Sequence, residues 1–494
     1  MDYKFLKSGT DIRGYASDLG GNAVQLTDEA VEDIVSAFVV WYINRYENNP
    51  ENLKIALGHD SRITADRICK AASSALVKSG VTVLDCGLAS TPAMFMTTVD
   101  LNTDAAIEIT ASHHPFDRNG IKIFLPTGGL EGADVTEILE IASAGTRIEN
   151  VPAGNLTSCD YMSDYAARLR NLIISGVGKG DMPLVGLKIV VDAGNGVGGF
   201  YANNVLAPLG ADVGGSRYLE PDGMFPNHIP NPENKAAMQS ICEAVRMNNA
   251  DLGIIFDTDV DRAGCVGKDG AEINRNRLIA LAAYIAMNGK KGLTVVTDSV
   301  TSDGLKTYIE NTLGGKHYRY RRGYKNVIDK AIELCEKGIE CPLAIETSGH
   351  AALKENYFLD DGAYLATKII IEVAKGTDIS KLLSSLKMPA DEKEYRIGIT
   401  ATDFKSYGDT VIRELETYVG SLPGYIIADD NREGIRVSSD DGWFLLRLSV
   451  HDPVMPLNFE SDTRTGIDKM ICDLKPFFAR YKDLQLPEGL SDFA

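Results

Sequence analysis

Three aspartates at alternate positions, Asp257, Asp259 and Asp261, follow directly on the apolar run from Leu252 to Phe256, and Arg262 closes the set. Three like charges so near one another repel strongly, and their co-location makes sense where a divalent cation neutralises them. An all-oxygen set suits magnesium, which keeps room for water or phosphate oxygens. In an extended segment the alternation puts all three carboxylates on one side. An EF-hand does not fit, because Arg262 stands where that loop needs glycine and Lys268 where it needs a bidentate glutamate.

A second group surrounds Ser112. The alternating stretch from Asp104 to Ile109 reads as a strand, and Ile121 to Leu125 as another, closed by Pro126 and the Gly128–Gly129 pair. Ser112 then lies in a polar loop at a strand end, where its hydroxyl can be presented to a ligand. His113 and His114 offer a base or a donor, and Lys122 returns a cation to the same end. Pro115 restricts His114 to extended geometry, and Asn119–Gly120 is expected to reverse the chain. Taken alone, this is also what a polar hairpin with surface histidines looks like.

Three further loops carry groups suited to anions and hydroxyls. Between Gly9 and Gly14, Arg13 can grip phosphate or carboxylate with two hydrogen bonds. The strand Leu343 to Ile345 runs into Glu346, Ser348, Gly349 and His350, a set able to read vicinal hydroxyls. Near the C-terminus Arg447, Ser449 and His451 alternate and can converge on one anion.

The elements that must position these groups follow a repeated order of strand, polar turn, helix and strand. The turns are Gly58 to Arg62, Ala193 to Gly196 and Ser299 to Ser302. Helices are expected over 27–46, 64–79 and 160–174, and one after each of the later two turns. Such repetition implies α/β domains of related topology, with ligands at the carboxyl ends of strands. After Met388–Glu392 the pattern changes to a helix over 402–418, a hairpin turning at Asp440–Gly442, and a helix over 465–482, a smaller α+β module.

A chain of 494 residues exceeds one core, and its 44% hydrophobic and 24% charged content is that of a globular protein. With 50 basic against 69 acidic residues the net charge is −19, which argues against nucleic acid or an anionic membrane as partner. Cys69, Cys86, Cys159, Cys242, Cys265, Cys335, Cys341 and Cys472 are scattered, without zinc-like or disulfide spacing. No signal peptide or membrane span is apparent, and a cytoplasmic protein is expected.

At these motifs the chain resembles the α-D-phosphohexomutase superfamily, which includes phosphoglucomutase and phosphomannomutase, over nearly its whole length and in the same order. Thr110 to Pro115 is similar to the family's phosphoserine loop and Asp257 to Arg262 to its magnesium loop. Glu346 to His350 resembles its sugar loop, Arg447 to Ser449 its phosphate loop, and Ser8 to Gly14 its opening. The resemblance implies an α/β fold of three related mixed α/β domains plus a smaller α+β C-terminal domain around a central cleft. The implied boundaries are 1–156 with the phosphoserine loop, 157–273 with the metal loop, 274–390 with the sugar loop and 391–494 with the phosphate loop.

It also implies an activity. Ser112 would carry a phosphoryl group, with Mg2+ held by Asp257, Asp259, Asp261 and the phosphorylated Ser112. A hexose 1-phosphate and a hexose 6-phosphate, of glucose or mannose, would interconvert through a hexose 1,6-bisphosphate, which also serves as activator. A phosphoserine carries about −1.5 to −2 charges at neutral pH, so Arg13, Lys122 and Arg262 are the cations expected beside it. His113 or Lys122 would move the proton, with His113 favoured by its titration range. Glu346, Ser348 and His350 would read the sugar, and Arg447, Ser449 and His451 the distal phosphate. The ligands are small hexose phosphates, and the protein a monomer or homodimer.

The sequence departs from the family in places. Most members have asparagine where His114 stands and glycines where Thr258 and Val260 stand. Val450 and His451 replace the Gly-Thr of the usual phosphate loop, as in a plant, algal and bacterial subgroup. Three other readings remain. Phosphoglucosamine is a possible substrate, and the altered loop would also suit a non-catalytic sugar-phosphate sensor. Ile254 to Asp259 resembles the start of an aspartate-nucleophile phosphatase, with Asp360–Asp361 as its later acidic pair.

Overall fold

The computed structural model describes residues 1–429, 431–449 and 452–491. The chain divides into two compact units, one of Met1–Leu278 with Ser348–Lys381, the other of Ile279–Thr347 with the chain from Leu382 onward.

In the first unit, a mixed sheet runs in the order Lys7–Ser8, Asp11–Tyr15, Arg118–Leu125, Ala105–Ile109, Lys54–His59, Thr82–Leu88 and Leu156–Ser158, with Gly128–Gly129 paired to Arg118–Leu125. Its faces follow from side-chain alternation. Ile55, Leu57, Ile107, Ile109, Ile121 and Ile123 join one core with residues of the helices Asp28–Tyr46, Ala65–Lys78 and Gly132–Ser143. The opposite face lies under the helix Thr91–Asp100, so closely that a Cβ on Gly58 would come within 2.5 Å of Met94 Sδ. The helix Asp28–Tyr46 starts where the Thr27 side chain accepts from Ala30 N, with Asp28 and Glu29 in its positive first turn.

A second sheet of this unit is ordered Glu272–Ile273, Ala263–Gly267, Leu252–Phe256 and Ile189–Asp192. Leu252–Phe256 is parallel to Ile189–Asp192 and antiparallel to Ala263–Gly267, so residues 257–262 form the loop of a hairpin. No long helix follows Ile189–Asp192. The chain instead makes a π-helical turn at Tyr201–Leu206 and a 3-10 turn at Ala207–Leu209. Pro208 lacks an N–H, and Gly210 takes φ +90° to end the segment.

In the second unit, the strands Lys316–Tyr320, Thr294–Asp298 and Leu343–Ile345 are parallel. An antiparallel sheet ordered Ile426–Ile427, Ile435–Ser439, Gly442–Leu446, Val454–Ser461, Asp391–Ile399 and Leu484–Gln485 follows. It shares a core with the helices Phe404–Gly420 and Gly466–Phe478. Among the described residues no helix is long and apolar enough to cross a membrane.

Candidate active site

Ser112 sits in the loop joining the antiparallel strands Ala105–Ile109 and Arg118–Leu125, nearly buried and at φ +51°. That left-handed backbone is uncommon for serine and aims its side chain inward. Ser112 N donates to Thr110 Oγ1 at 2.9 Å, and Thr110 Oγ1 donates to Asp60 Oδ2 at 2.7 Å. Arg62 holds the loop from beneath. Its Nη1 donates to the carbonyls of Pro115 at 2.6 Å and Arg118 at 2.8 Å, its Nη2 to those of His114 at 2.6 Å and Ser112. Its Nε donates to Asp60 Oδ2 at 3.1 Å. One buried guanidinium thus fixes four loop carbonyls.

The chain reverses at Pro115–Asp117 and not at Asn119–Gly120, as the sequence led one to expect. Asn119 and Gly120 lie within the strand. Asn119 Nδ2 donates to Thr64 Oγ1 at 3.0 Å, and a Cβ on Gly120 would lie 2.6 Å from the carbonyl oxygens of Ile12 and Thr110. Close approach of the flanking strands, not turn chemistry, demands that glycine.

The aspartate loop meets this serine. Ser112 Oγ donates to Asp257 Oδ2 at 3.2 Å and accepts from Arg262 Nη2 at 3.1 Å. Arg262 Nε donates to Asp257 Oδ2 at 3.0 Å, and Arg262 Nη2 reaches His113 Nδ1 at 2.6 Å. Burial, with the Arg262 charge, pushes His113 down to about 2, and burial with Arg13 pushes His114 down to about 3. Both imidazoles are neutral near pH 7, which narrows the proton-moving role the sequence favoured for His113. Lys122 Nζ lies 2.6 Å from Asp261 Oδ2 and 3.1 Å from Asp259 Oδ2, and Thr91 Oγ1 donates to Asp259 Oδ2 at 2.6 Å.

Asp257, Asp259 and Asp261 converge by a route other than the extended alternation expected. The loop curls, with Val260 at φ +65° and fully buried. That is a strained conformation for a β-branched residue. One oxygen of each carboxylate lies within 4.8 Å of the others. Asp259 Oδ1 and Asp261 Oδ1 are buried and have no hydrogen-bond partner among the described residues. Orphaned oxygens in an all-carboxylate set fit a hard divalent cation such as Mg2+.

His350 and the acidic pair after it serve this same loop. His350 bridges to Arg262 through the backbone, pairs through Nδ1 with Asp360, and stands 3.9 Å from Asp261 Oδ1. Asp361 caps the helix Gly362–Lys375 by accepting from Tyr364 N at 2.8 Å, and accepts from Tyr165 Oη at 2.7 Å. Asp360 and Asp361 are therefore both committed to structural partners. Arg13 lies on Asp11–Tyr15 and pairs with Asp11 Oδ2 at 2.7 Å.

The second unit carries the other sequence candidates. Glu346 Oε1 accepts from Gly323 N at 2.6 Å at the end of Leu343–Ile345. Arg447 and Ser449 continue beyond Gly442–Leu446, Arg447 N donating to Pro456 O and Ser449 N to Val454 O. Val450 and His451 lie outside the described residues. Ser348 is buried and belongs with His350 to the first unit.

The descriptions of phosphoglucomutase/phosphomannomutase α/β/α domains I, II and III match residues 9–148, 163–270 and 274–388. The chain is 31% identical to a phosphoglucomutase of Neisseria meningitidis over 84% of its own length and 86% of that protein. It is 29% identical to a phosphomannomutase/phosphoglucomutase of Pseudomonas aeruginosa over 89% and 91%. A crystal structure of a phosphoglucomutase/phosphomannomutase family protein from Burkholderia thailandensis matches with a TM-score of 0.82 at 26% identity, covering 99% of this chain and all of that one. This chain belongs to the phosphoglucomutase/phosphomannomutase family.

As a member of that family it is a phosphohexomutase, an intramolecular phosphotransferase. The family is Mg2+-dependent, and the buried aspartate loop is what this chain offers such an ion. Its hexose phosphate ligands follow from the same membership. Sequence reasoning gave no role to Asp60, Arg62, Thr91 or Thr110. Asp60 and Arg62 stood in a polar turn after a strand, the signal that singled out the other loops. What one sequence lacks is the long-range pairing that brings that turn beneath Ser112.

Proposed function

We propose that this mutase interconverts hexose 1-phosphate and hexose 6-phosphate of glucose, mannose or both, with Ser112 as the residue that holds the phosphoryl group between half-reactions. The observation that carries the reading is the Ser112 hydroxyl, 3.2 Å from Asp257 Oδ2 and 3.1 Å from Arg262 Nη2 in a buried site. A reacting oxygen placed between a metal-loop carboxylate and a guanidinium is suited to a phosphoryl group whose charge must be balanced as it transfers.

In the first half-reaction a hexose hydroxyl attacks the phosphorus on Ser112. The P–O bond to Ser112 breaks, the hexose oxygen loses its proton, and the serine oxygen takes one up. The hexose 1,6-bisphosphate turns, and the phosphoryl group at its other end returns to Ser112 by the reverse exchange. Asp257, Asp259 and Asp261 would hold the divalent cation, which would supply charge neutralisation at the transferring phosphate. Arg262 holds the serine oxygen and orients neutral His113. We assign the proton given to the serine oxygen to the Lys122 ammonium, because burial and the Arg262 charge keep His113 neutral and a neutral imidazole is a poor acid. Glu346 and Ser348 are read as contacts for the sugar hydroxyls, and Arg447 and Ser449 as the anchor of the distal phosphate.

The test is coupled turnover of glucose, mannose and glucosamine phosphates with a catalytic amount of hexose 1,6-bisphosphate, alongside intact-mass analysis. One added phosphate on the parent, absent from Ser112→Ala together with nearly all turnover, is the expected result. Retained turnover in Ser112→Ala favours an aspartate-nucleophile phosphatase. Binding without turnover in the parent favours a sensor, and a preference for the glucosamine phosphate identifies a phosphoglucosamine mutase.

A further inference from the structure

The second unit contains an anion of its own at the place where an arginine is read to await one. Glu433 follows Arg432 in the segment that precedes the strand Ile435–Ser439. Its Oε2 accepts from Arg322 N at 3.1 Å and from the Ser299 hydroxyl, and its Oε1 lies 4.0 Å from Arg447 Nη1. Ser299 and Arg322 follow the carboxyl ends of the parallel strands Thr294–Asp298 and Lys316–Tyr320, the end of a sheet where ligands collect.

The segment is built to stay there. The Arg432 guanidinium stacks at 4.0 Å over Tyr318, and Arg321 Nε donates to Arg432 O at 3.1 Å. Gly434, at φ +60°, lets the backbone press on its neighbour, for a Cβ there would lie 2.0 Å from Leu446 O and 2.8 Å from Arg447 Cα. Arg447 itself is mostly buried, and its Nε has no hydrogen-bond partner among the described residues. A buried guanidinium with a spare N–H faces a carboxylate that stands off at ion-pair distance.

We propose that Glu433 is a resident anion, a side chain of the mutase itself that shares the Arg447 site and competes with the distal phosphate of the substrate. This rests on the reading of Arg447 as the phosphate anchor. The chemical logic is that of an intermediate which must let go at each turn. An anchor that gripped both ends of a bisphosphate too firmly would bind ground and transition states alike, lowering KM without raising kcat. A carboxylate beside the arginine weakens that grip through like-charge repulsion with the incoming phosphate. It also supplies a counter-charge once the phosphate leaves, so Arg447 is not left buried and unpaired.

Glu433→Gln is the informative change, because the amide oxygen can still accept from Ser299 and Arg322 N while the charge is gone. Calorimetry in a Ser112→Ala background, where no turnover confuses binding, should give three- to tenfold tighter glucose 6-phosphate. Inorganic phosphate, a probe that involves no sugar, should tighten by a similar factor. In otherwise unaltered protein, Glu433→Gln should lower KM more than it changes kcat. Arg447→Lys should weaken both ligands. Unchanged or weaker binding of both probes in Glu433→Gln overturns the proposal, whatever turnover shows. Tighter phosphate binding in a protein that turns over no hexose phosphate supports the resident anion and overturns the mutase reading alone.

Discussion

At the scale of single residues, the serine loop depends most on a side chain that never reaches its hydroxyl. Arg62 is fully buried, pairs with Asp60 and donates to four carbonyls between Ser112 and Arg118. Its planar fork of donors fits this task, and a lysine, with one ammonium on a flexible stem, does not. Arg62→Lys leaves several buried carbonyls and Asp60 incompletely satisfied, at a stability cost on the order of 3 kcal/mol. Because Ser112 keeps its left-handed backbone only through this loop, turnover should fall at least tenfold, with kcat affected more than KM. Urea denaturation and initial rates check both. A variant of parental stability and activity would mean that the loop holds its shape without the guanidinium.

At the scale of elements, the strand Ala105–Ile109 carries an acid that no motif accounts for. Glu108 is fully buried, pairs in register with Lys122, and neither carboxyl oxygen has a hydrogen-bond partner among the described residues. Burial first, then the charges of Asp60 and Asp259, pushes it well above the ordinary carboxyl range. An unfolded glutamate loses its proton near pH 4.3. The folded chain therefore holds more protons from that pH up to the raised value, and stability falls with rising pH across the window. Glu108→Gln keeps the shape and removes the proton, so the parent should lose stability between pH 5 and pH 8 more steeply than the variant. Melts at several pH values decide it, and parallel pH profiles would refute it.

Elements also mark how far the sequence could be read. Around the first sheet, alternation and polar turns marked the strands at Lys54–His59, Thr82–Leu88, Ala105–Ile109 and Arg118–Leu125 and the helices Asp28–Tyr46 and Ala65–Lys78, whereas Asp11–Tyr15, read as a polar loop, is a strand, and the helices Thr91–Asp100 and Gly132–Ser143 were not foreseen. Three further features were not legible. The Asp257–Asp261 loop reaches its convergence through a strained Val260, where alternation suggested a straight segment. Gly120 answers to backbone crowding from Ile12 and Thr110, which are distant in sequence. His350, read as a sugar contact, faces Asp360 and Asp261 across a bridge to Arg262. In each case the deciding neighbour is brought close by tertiary pairing, which local patterning does not encode.

At the scale of the molecule, a chain of net charge −19 must gather cations wherever an anion is to bind. In the first unit, however, Lys122 and Arg262 face three aspartates, leaving one negative charge in a buried place. Burial, reinforced by Asp261, raises Asp257 well above the usual range, so that carboxyl tends to hold a proton while no cation is bound. Mg2+ must displace that proton, and its affinity should therefore rise with pH between 6 and 8. Binding only to the folded state adds about 2.7 kcal/mol of stability at a hundredfold excess over Kd. Scanning calorimetry should show Mg2+ raising the transition that contains the first unit, and chelation reversing it, with Asp259→Asn abolishing the response. The second unit holds none of the three aspartates. A metal-induced shift that survives in Asp259→Asn would place the cation elsewhere in the chain.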